Sequence, residues 1–262
     1  MNEDYEIFGV YGNFPFCIWN GETVNFSENA VLNNLITQFF LDYAGFHKCI
    51  FLNCTNTEIT EDMLDDTYSN IILNNLHKIT ASNHIVINSS LLNSYIQSIY
   101  KNNLCIDIGK YNEILPETIL NLNDEGYLFI NPKFNNNFEL LKKYKNKKQL
   151  IMTLNPSLCV NQCNIYNECL LKEHLAQIAF DPRKSRSQSC LNWNNNCELQ
   201  NIRNSNLYIS YQDIEKYNKI SINHFLLEYY NNVEDTLQEY ISFLIKPEYW
   251  QEVFNILKIY TV

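Results

Sequence analysis

The chain has 262 residues, of which 46% are hydrophobic and 18% are charged, a composition typical of globular proteins and not of disordered ones. Its 19 basic and 29 acidic residues give a net charge of -10, which argues against broad electrostatic binding to nucleic acid. The apolar runs are too short to cross a bilayer, and the acidic start of the chain does not resemble a secretory signal. We therefore expect a cytoplasmic protein without membrane association.

Short runs rich in Ile, Val, Phe and Tyr alternate with longer segments of helical periodicity along the whole chain. The short runs predict eight strands: Glu6–Val10, Lys48–Asn53, His84–Asn88, Leu104–Ile108, Tyr127–Asn131, Gln149–Leu154, Asn206–Ser210 and Asn223–Glu228. The periodic segments predict a helix after each strand and one final helix: Glu28–Tyr43, Thr60–Lys78, Leu91–Tyr100, Glu113–Asn121, Asn137–Lys143, Asn161–Ile178, Tyr211–Lys219, Val233–Ile245 and Glu248–Ile259.

Eight strand–helix units in a chain of this length predict an α/β fold, a single (β/α)8 barrel of the TIM type that spans residues 1–262. A doubly wound open sheet gives the same alternation, and only the count of eight favours closure. One long irregular stretch, Phe180–Asn204, separates the sixth helix from the predicted seventh strand. A loop of this length in a compact domain is usually functional or mobile.

Active sites in such barrels lie at the carboxyl ends of the strands. Among the polar residues that follow the predicted strands, we expect Asn53, Asn88 and Asn155 to bind substrate and Glu228 to act as general acid or base. The alternative is that an asparagine falls at a strand end by chance in this Asn-rich chain. The other candidates at these ends are Tyr11, Asn13, Ser89, Asp107, Asn131 and Tyr211.

Five of the nine cysteines fall late in the chain, and Cys159 and Cys163 form a Cys-x3-Cys element directly after the predicted sixth strand. Together with Cys169, Cys190 or His174, these thiolates could surround a tetrahedral zinc ion or an iron–sulfur cluster. The spacing does not place them on one face of a helix, so ligation requires a loop. The alternative is that they are small buried residues of the core.

The three arginines of the chain lie inside the long loop, and we expect Arg183 and Arg186 to hold an anionic group of the substrate. Arg203 is the third member of this group. The alternative is a solvated loop whose positive charges balance neighbouring acidic residues.

The Cys159–Cys163 element after a middle strand resembles barrel proteins of the peptidase U32 type, a group that includes collagenase-like proteins and iron–sulfur proteins. The resemblance covers the predicted sixth strand onward. It implies a four-cysteine cluster of Cys159, Cys163, Cys169 and Cys190, with Cys197 as the competing fourth ligand. Those proteins end a late strand with a Lys-Ile-Glu-Gly-Arg-like sequence, of which only Glu228 corresponds here.

These patterns favour a metal- or iron–sulfur-dependent barrel enzyme that acts on a small polar or anionic substrate. The competing interpretation is a non-catalytic barrel that binds a ligand or a partner protein, with structural cysteines. A protein that contacts tRNA would need a local basic face, which only the loop from Arg183 to Arg203 could supply.

Overall fold

The computed structural model describes residues 5–14, 17–21, 42, 48–78, 83–100, 105–109, 126–144, 147–156, 166–181, 199–228 and 233–260. Within these residues the chain forms seven β-strands. They are β1 (Gly9–Gly12), β2 (Cys49–Cys54), β3 (His84–Ile87), β4 (Cys105–Ile108), β5 (Leu128–Phe129), β6 (Leu150–Thr153) and β7 (His224–Leu226).

Each strand pairs in parallel with the next strand along the chain, from β1 to β7. The two edge strands, β1 and β7, approach each other. The ring of Phe8, just before β1, lies 5.1 Å from the ring of His224 in β7, measured between centroids. The sheet is thus a nearly closed parallel barrel of the α/β class, which confirms the predicted barrel-like architecture.

Eight α-helices are described, and they alternate with or follow the strands. In chain order they are α1 (Thr67–Lys78), α2 (Ser90–Ile99), α3 (Phe138–Leu141), α4 (Tyr166–Ala179), α5 (Leu199–Arg203), α6 (Ile214–Asn218), α7 (Val233–Leu244) and α8 (Trp250–Tyr260). Side-chain capping hydrogen bonds fix where several of the helices begin. For example, the Ser89 hydroxyl accepts the Leu92 N–H at the start of α2. The predicted helices Glu28–Tyr43 and Glu113–Asn121 lie outside the described residues, apart from Asp42.

The count of eight strands is not confirmed. The predicted strand Asn206–Ser210 has no strand conformation in the structure, although the Ile209 N–H donates to the carbonyl of Leu154 at 2.8 Å. Leu207 and Ile209 are buried, so the alternating pattern reflects packing against the barrel and not strand pairing. The predicted eighth strand is therefore β7, the seventh strand of the described barrel.

The predicted loop Phe180–Asn204 is described only at its two ends, because residues 182–198 lie outside the described part. Helix α5 occupies Leu199–Arg203 within this stretch. No described helix combines the length and the apolar character that crossing a bilayer requires.

Large side chains fill the barrel interior. Phe51, Val86, Phe129 and Ile151, from β2, β3, β5 and β6, form one buried cluster, against which Leu226 packs. The ring centroids of Phe51 and Phe129 are 6.1 Å apart, and Tyr11 lies 5.3 Å from Phe129. The barrel is therefore a packed core and not an open channel.

The opposite faces of the same strands are covered by helices. Leu52 and Ile85 point outward and pack with Leu73 and Leu92 of α1 and α2. Farther round the sheet, outward residues such as Met152 pack in a second outer cluster. Alternate residues of each strand thus serve the interior and the outer layer, as parallel strands buried on both faces require.

Gly9 lies at a point of the interior that has no room for a side chain. A Cβ atom at Gly9 would lie 2.7 Å from Cε2 of Phe51 and 2.9 Å from the carbonyl oxygen of Cys49, whereas a Cβ at Gly12 of the same strand would meet nothing within 4 Å. We expect Gly9→Ala to lower the free energy of unfolding by about 1–3 kcal/mol through overpacking. Gly12→Ala is the matched control and should leave it unchanged or raise it by about 0.4–1 kcal/mol. Urea denaturation of the two variants and the wild type measures both, and equal stability of the variants would contradict this packing.

Candidate functional site

The alternation of inward-facing and outward-facing side chains continues beyond the carboxyl ends of the strands, where the chain reaches the mouth of the barrel. The alternation that places Phe51, Val86 and Leu226 inside the barrel brings polar residues to the mouth two or more positions later. These mouth positions are Asn13, Asn53, Asn88, Gly109, Asn131, Asn155 and Glu228. The mouth is therefore lined mainly by neutral amides, with one carboxylate among these positions.

On the side of β1 and β2, the amides bind the loop that follows β1. Asn13 and Asn53 each donate from Nδ2 to the carbonyl of Gly21, at 3.2 and 3.3 Å. The Oδ1 atom of Asn53 accepts the Thr55 hydroxyl at 2.6 Å and the Thr55 N–H at 3.2 Å. Asn53 is fully buried. It is a predicted substrate-binding residue, but the structure engages both ends of its amide in holding two loops together.

Asn88 lies beside Gly109 at the mouth. A Cβ atom at Gly109 would be 2.6 Å from Oδ1 of Asn88 and 2.6 Å from Cγ2 of Thr55. The absence of a side chain at Gly109 therefore lets the ends of β2, β3 and β4 meet closely. Asn88 is half-buried, which leaves part of this predicted binding residue accessible at the mouth.

On the side of β6 and β7, Asn155 holds Glu228 through the main chain. Asn155 donates from Nδ2 to the Glu228 carbonyl at 3.0 Å and accepts the Glu228 N–H at Oδ1 at 2.7 Å. This pair of bonds imitates one more step of the β6–β7 ladder with a side-chain amide. Asn155 is buried, so it positions Glu228 and is not exposed to a ligand.

Helix α4 is attached to the loops after β1 and β2 by polar contacts. The Thr57 N–H donates to Nδ1 of His174 at 3.3 Å, the Thr57 hydroxyl contacts the same atom at 3.0 Å, and Gln177 donates to the carbonyl of Cys17 at 2.8 Å. Asn56 donates to the carbonyl of His174 at 3.2 Å. His174, an alternative metal ligand in the sequence analysis, is here 1% exposed and docks the helix.

The predicted metal ligands fall mostly outside the described residues. This applies to Cys159, Cys163 and Cys190, and also to the predicted anion-binding residues Arg183 and Arg186. Cys169 is a buried cysteine on α4. Among the described residues, no three His, Cys, Asp or Glu side chains are grouped in a way that could hold a metal ion.

Arg203, the third arginine, has a structural partner. Its Nε donates to Oε1 of Glu239 on α7, and the Tyr208 hydroxyl donates to Oε2 of the same carboxylate at 3.1 Å. Glu239 is fully buried, and burial raises the pKa of its carboxyl group, although Arg203 and Tyr208 oppose this shift. Arg203 therefore neutralises a buried carboxylate and does not face a substrate anion.

Sequence reasoning missed a polar pair inside the barrel. Nδ1 of His84, the first residue of β3, lies 3.1 Å from Oδ2 of Asp107, and the Tyr127 N–H donates to Oδ1 of Asp107 at 2.8 Å. Asp107 is fully buried, and burial raises its carboxyl pKa against the lowering effect of His84 and of the Tyr127 N–H. Asp107 was predicted at the mouth, but its side chain lies in the interior. The inward parity of His84 and Asp107 on adjacent strands was the available signal.

A cleft of about 450 Å3 lies beside the loop that follows β5. Residues between Lys133 and Glu139 form one wall, and Asn206 and Leu207 form the other. Asn136 donates to the Asn206 carbonyl, and the buried Asn135 donates to the Leu207 carbonyl at 2.6 Å, so the two walls are fixed to each other. The cleft is thus a second concave polar surface, lined mostly by exposed side chains.

The imidazole of His224 predicts a pH dependence of stability. Burial lowers its pKa below the ordinary value of 6.5, so the folded state favours the neutral ring and the unfolded chain binds a proton first. Stability should therefore fall as the pH drops below about 6.5. His224→Phe keeps a ring against Phe8 and Tyr127, each at 5.1 Å, and removes the titrating group. Urea unfolding at pH 7.5 and pH 5.5 should show a smaller loss for the variant than for the wild type. An equal loss in both proteins would contradict this role.

No family model, no curated protein and no solved structure matches this chain. The resemblance to peptidase U32-type barrels therefore stays a prediction from Cys159, Cys163 and Glu228, and function must be argued from the mouth of the barrel.

Proposed function

We propose that the protein is a barrel enzyme that binds a small polar substrate at the carboxyl-terminal mouth, with Glu228 as general acid or base. The observation that carries the proposal is the position of Glu228. It follows β7, two residues after the inward-facing Leu226, is half-buried, and has its main chain fixed by the two hydrogen bonds of Asn155. An acid–base group must be held within hydrogen-bond reach of its substrate, and a fixed main chain at Glu228 favours this.

The neutral rim supports the proposal of a polar substrate. Amides donate and accept hydrogen bonds without adding charge, and Asn88 and Asn131 are half-buried at the mouth, where both stay accessible. Groups of this kind suit hydroxyl, carbonyl or amide functions of a polar ligand. Asn53 and Asn155 support the rim from below, since both amide ends of each are engaged by protein groups.

The proposal also includes a metal site and an anion-binding site, which are based on the sequence pattern alone. Cys159, Cys163, Cys169 and Cys190 would hold zinc or an iron–sulfur cluster, and Arg183 and Arg186 would hold an anionic group of the substrate. The support is the gathering of cysteines and arginines directly after the sixth strand. A cytoplasmic location agrees with a reduced set of thiols.

A non-catalytic ligand-binding barrel is the second candidate. It is favoured by the engagement of Asn53 and Asn155 in protein contacts, because a rim built to stabilise loops need not carry chemistry. In this case the mouth would still bind a polar ligand, but Glu228 would not take part in a reaction.

Glu228→Gln separates the two candidates. The wild type is first screened by thermal shift against sugars, polyols, amides and organic acids, and each stabilising compound is followed by NMR for conversion. We expect Glu228→Gln to keep binding and to slow conversion by about 100- to 10,000-fold, because the amide cannot transfer the proton. Glu252→Gln, at an exposed carboxylate of α8, is the matched control and should react at the wild-type rate.

Conversion by Glu228→Gln at the wild-type rate would overturn the role of Glu228. Binding without any conversion by the wild type would favour the non-catalytic barrel.

The metal proposal has its own test. Protein purified without oxygen should carry near-stoichiometric zinc or iron by elemental analysis, and Cys159→Ala combined with Cys163→Ala should remove it. Cys105→Ala is the control, because this half-buried cysteine belongs to β4 and is not one of the proposed ligands. Fully folded wild-type protein without metal would contradict the proposal.

A further inference from the structure

The cleft beside the loop that follows β5 has no part in the proposed function. It lies at the same end of the barrel as the mouth, because Asn135, in the segment of one wall, donates to the carbonyl of Thr153, the last residue of β6, at 2.7 Å. Its volume of about 450 Å3 falls within the range of small-molecule sites, roughly 300–1000 Å3. The cleft is therefore large enough to hold a small ligand of its own.

The two walls of the cleft are held in place by contacts within the protein. Asn135 donates to the Leu207 carbonyl at 2.6 Å, and Asn136 donates to the Asn206 carbonyl. The hydroxyl of Tyr217, a fully buried residue of α6, donates to the Asn135 carbonyl at 2.5 Å. Because the walls are fixed to each other, a ligand loses little affinity to ordering of the protein.

Apolar and polar residues occupy different depths of the cleft. The apolar lining residues are Leu207, which is 2% exposed, and Phe138, which is half-buried and packs its ring on Tyr217 with centroids 4.9 Å apart. The other lining residues are polar and exposed, and they are Lys133, Asn136, Asn137, Glu139 and Asn206. The cleft thus has an apolar base below a polar border.

Two asparagines of the border have hydrogen-bonding groups available for a ligand. The Oδ1 atom of Asn137 accepts the Leu140 N–H at 3.1 Å, whereas its Nδ2 group has no hydrogen-bond partner in the described part of the chain. The exposed side chain of Asn206 has no such partner there at either end of its amide. The border therefore offers both donors and an acceptor.

The charges around the cleft favour a neutral ligand. Lys133 and Glu139 both line the cleft, so one positive and one negative charge offset each other. The chain as a whole carries a net charge of -10, which disfavours the approach of anions. A purely apolar ligand would leave the amides of the border without hydrogen bonds. The surfaces together match a neutral molecule that has hydroxyl groups on its edge and an apolar face.

We propose that this cleft is a binding site for a neutral saccharide, separate from the mouth of the barrel. The C–H face of a sugar ring packs on Phe138 and Leu207. Its hydroxyl groups donate to Oδ1 of Asn206 and accept from the Nδ2 groups of Asn137 and Asn206, since a hydroxyl both donates and accepts. The proposal goes beyond the proposed function, because it requires no reaction and no role of Glu228.

Ligand-detected NMR titrations of the whole chain test this site. The probes are glucose, galactose, mannose, N-acetylglucosamine, maltose and cellobiose, together with the blocked peptide acetyl-Gly-Ser-Gly-amide. We expect at least one sugar to bind saturably, with a dissociation constant of about 10 mM or tighter.

Asn206→Ala should weaken that binding by about 3- to 10-fold, because it removes one or two neutral hydrogen bonds. Phe138→Leu should weaken it by a similar factor, about 3- to 10-fold, because the aromatic face is lost while an apolar side chain is kept. Asn204→Ala is the matched control. Asn204 is an exposed asparagine two residues before Asn206 that does not line the cleft, and its variant should bind like the wild type.

Unchanged affinity of the sugar for Asn206→Ala would overturn the proposal, because the sugar would then bind elsewhere, for example at the mouth. The same holds if no sugar binds to the wild type, and if the peptide binds in place of the sugars. If Phe138→Leu does not fold, Asn206→Ala still decides, since its exposed side chain has no hydrogen bond to lose within the described structure. The readout is binding and not conversion, so its failure is distinguishable from failure of the Glu228 test.

Discussion

The packed interior of the nearly closed barrel is the constraint on which the rest of the structure depends. The seven parallel strands of the described residues surround a volume that side chains must fill, and large rings such as Phe51, Phe129 and Tyr11 fill it. The space is tight enough that Gly9 has no room for a Cβ atom against Phe51. Packing of these rings fixes which residues of each strand point inward, and this choice of parity reaches the functional end of the barrel.

The parity of the interior determines the chemistry of the mouth. Because side chains alternate with a period of two, the residues that follow the interior rings also face inward, and they include Asn53, Asn88 and Glu228. A shift of one residue in β2 would expose Cys54 at the mouth and bury Asn53 in the outer core. The polar rim is thus a direct result of the apolar packing one layer below it.

Much of the barrel could be predicted from the sequence, because apolar runs and their alternation are local signals. The first six predicted strands overlap β1 to β6, and the eighth predicted strand overlaps β7. The seventh, Asn206–Ser210, has the same alternation of apolar residues but packs against the outside of the barrel. The roles of the rim amides were not predictable. Asn155 is engaged by Glu228, which is 73 residues away, and Asn53 by Gly21, which is 32 residues away. Such long-range pairs leave no local pattern.

The described carboxyl groups are held in different ways, and this difference is consistent with the chemistry proposed at the carboxyl-terminal mouth. Inside the barrel, the Asp107 side chain is fully buried beside His84, which withdraws it from solvent. Glu239 of α7 is likewise buried, with Arg203 as its ion-pair partner. At the carboxyl ends, the main chain of Glu228 is fixed by Asn155, and the residue is half-buried although its Oε1 atom is not accessible. A carboxyl group that must exchange a proton with a ligand needs this combination of fixed position and access.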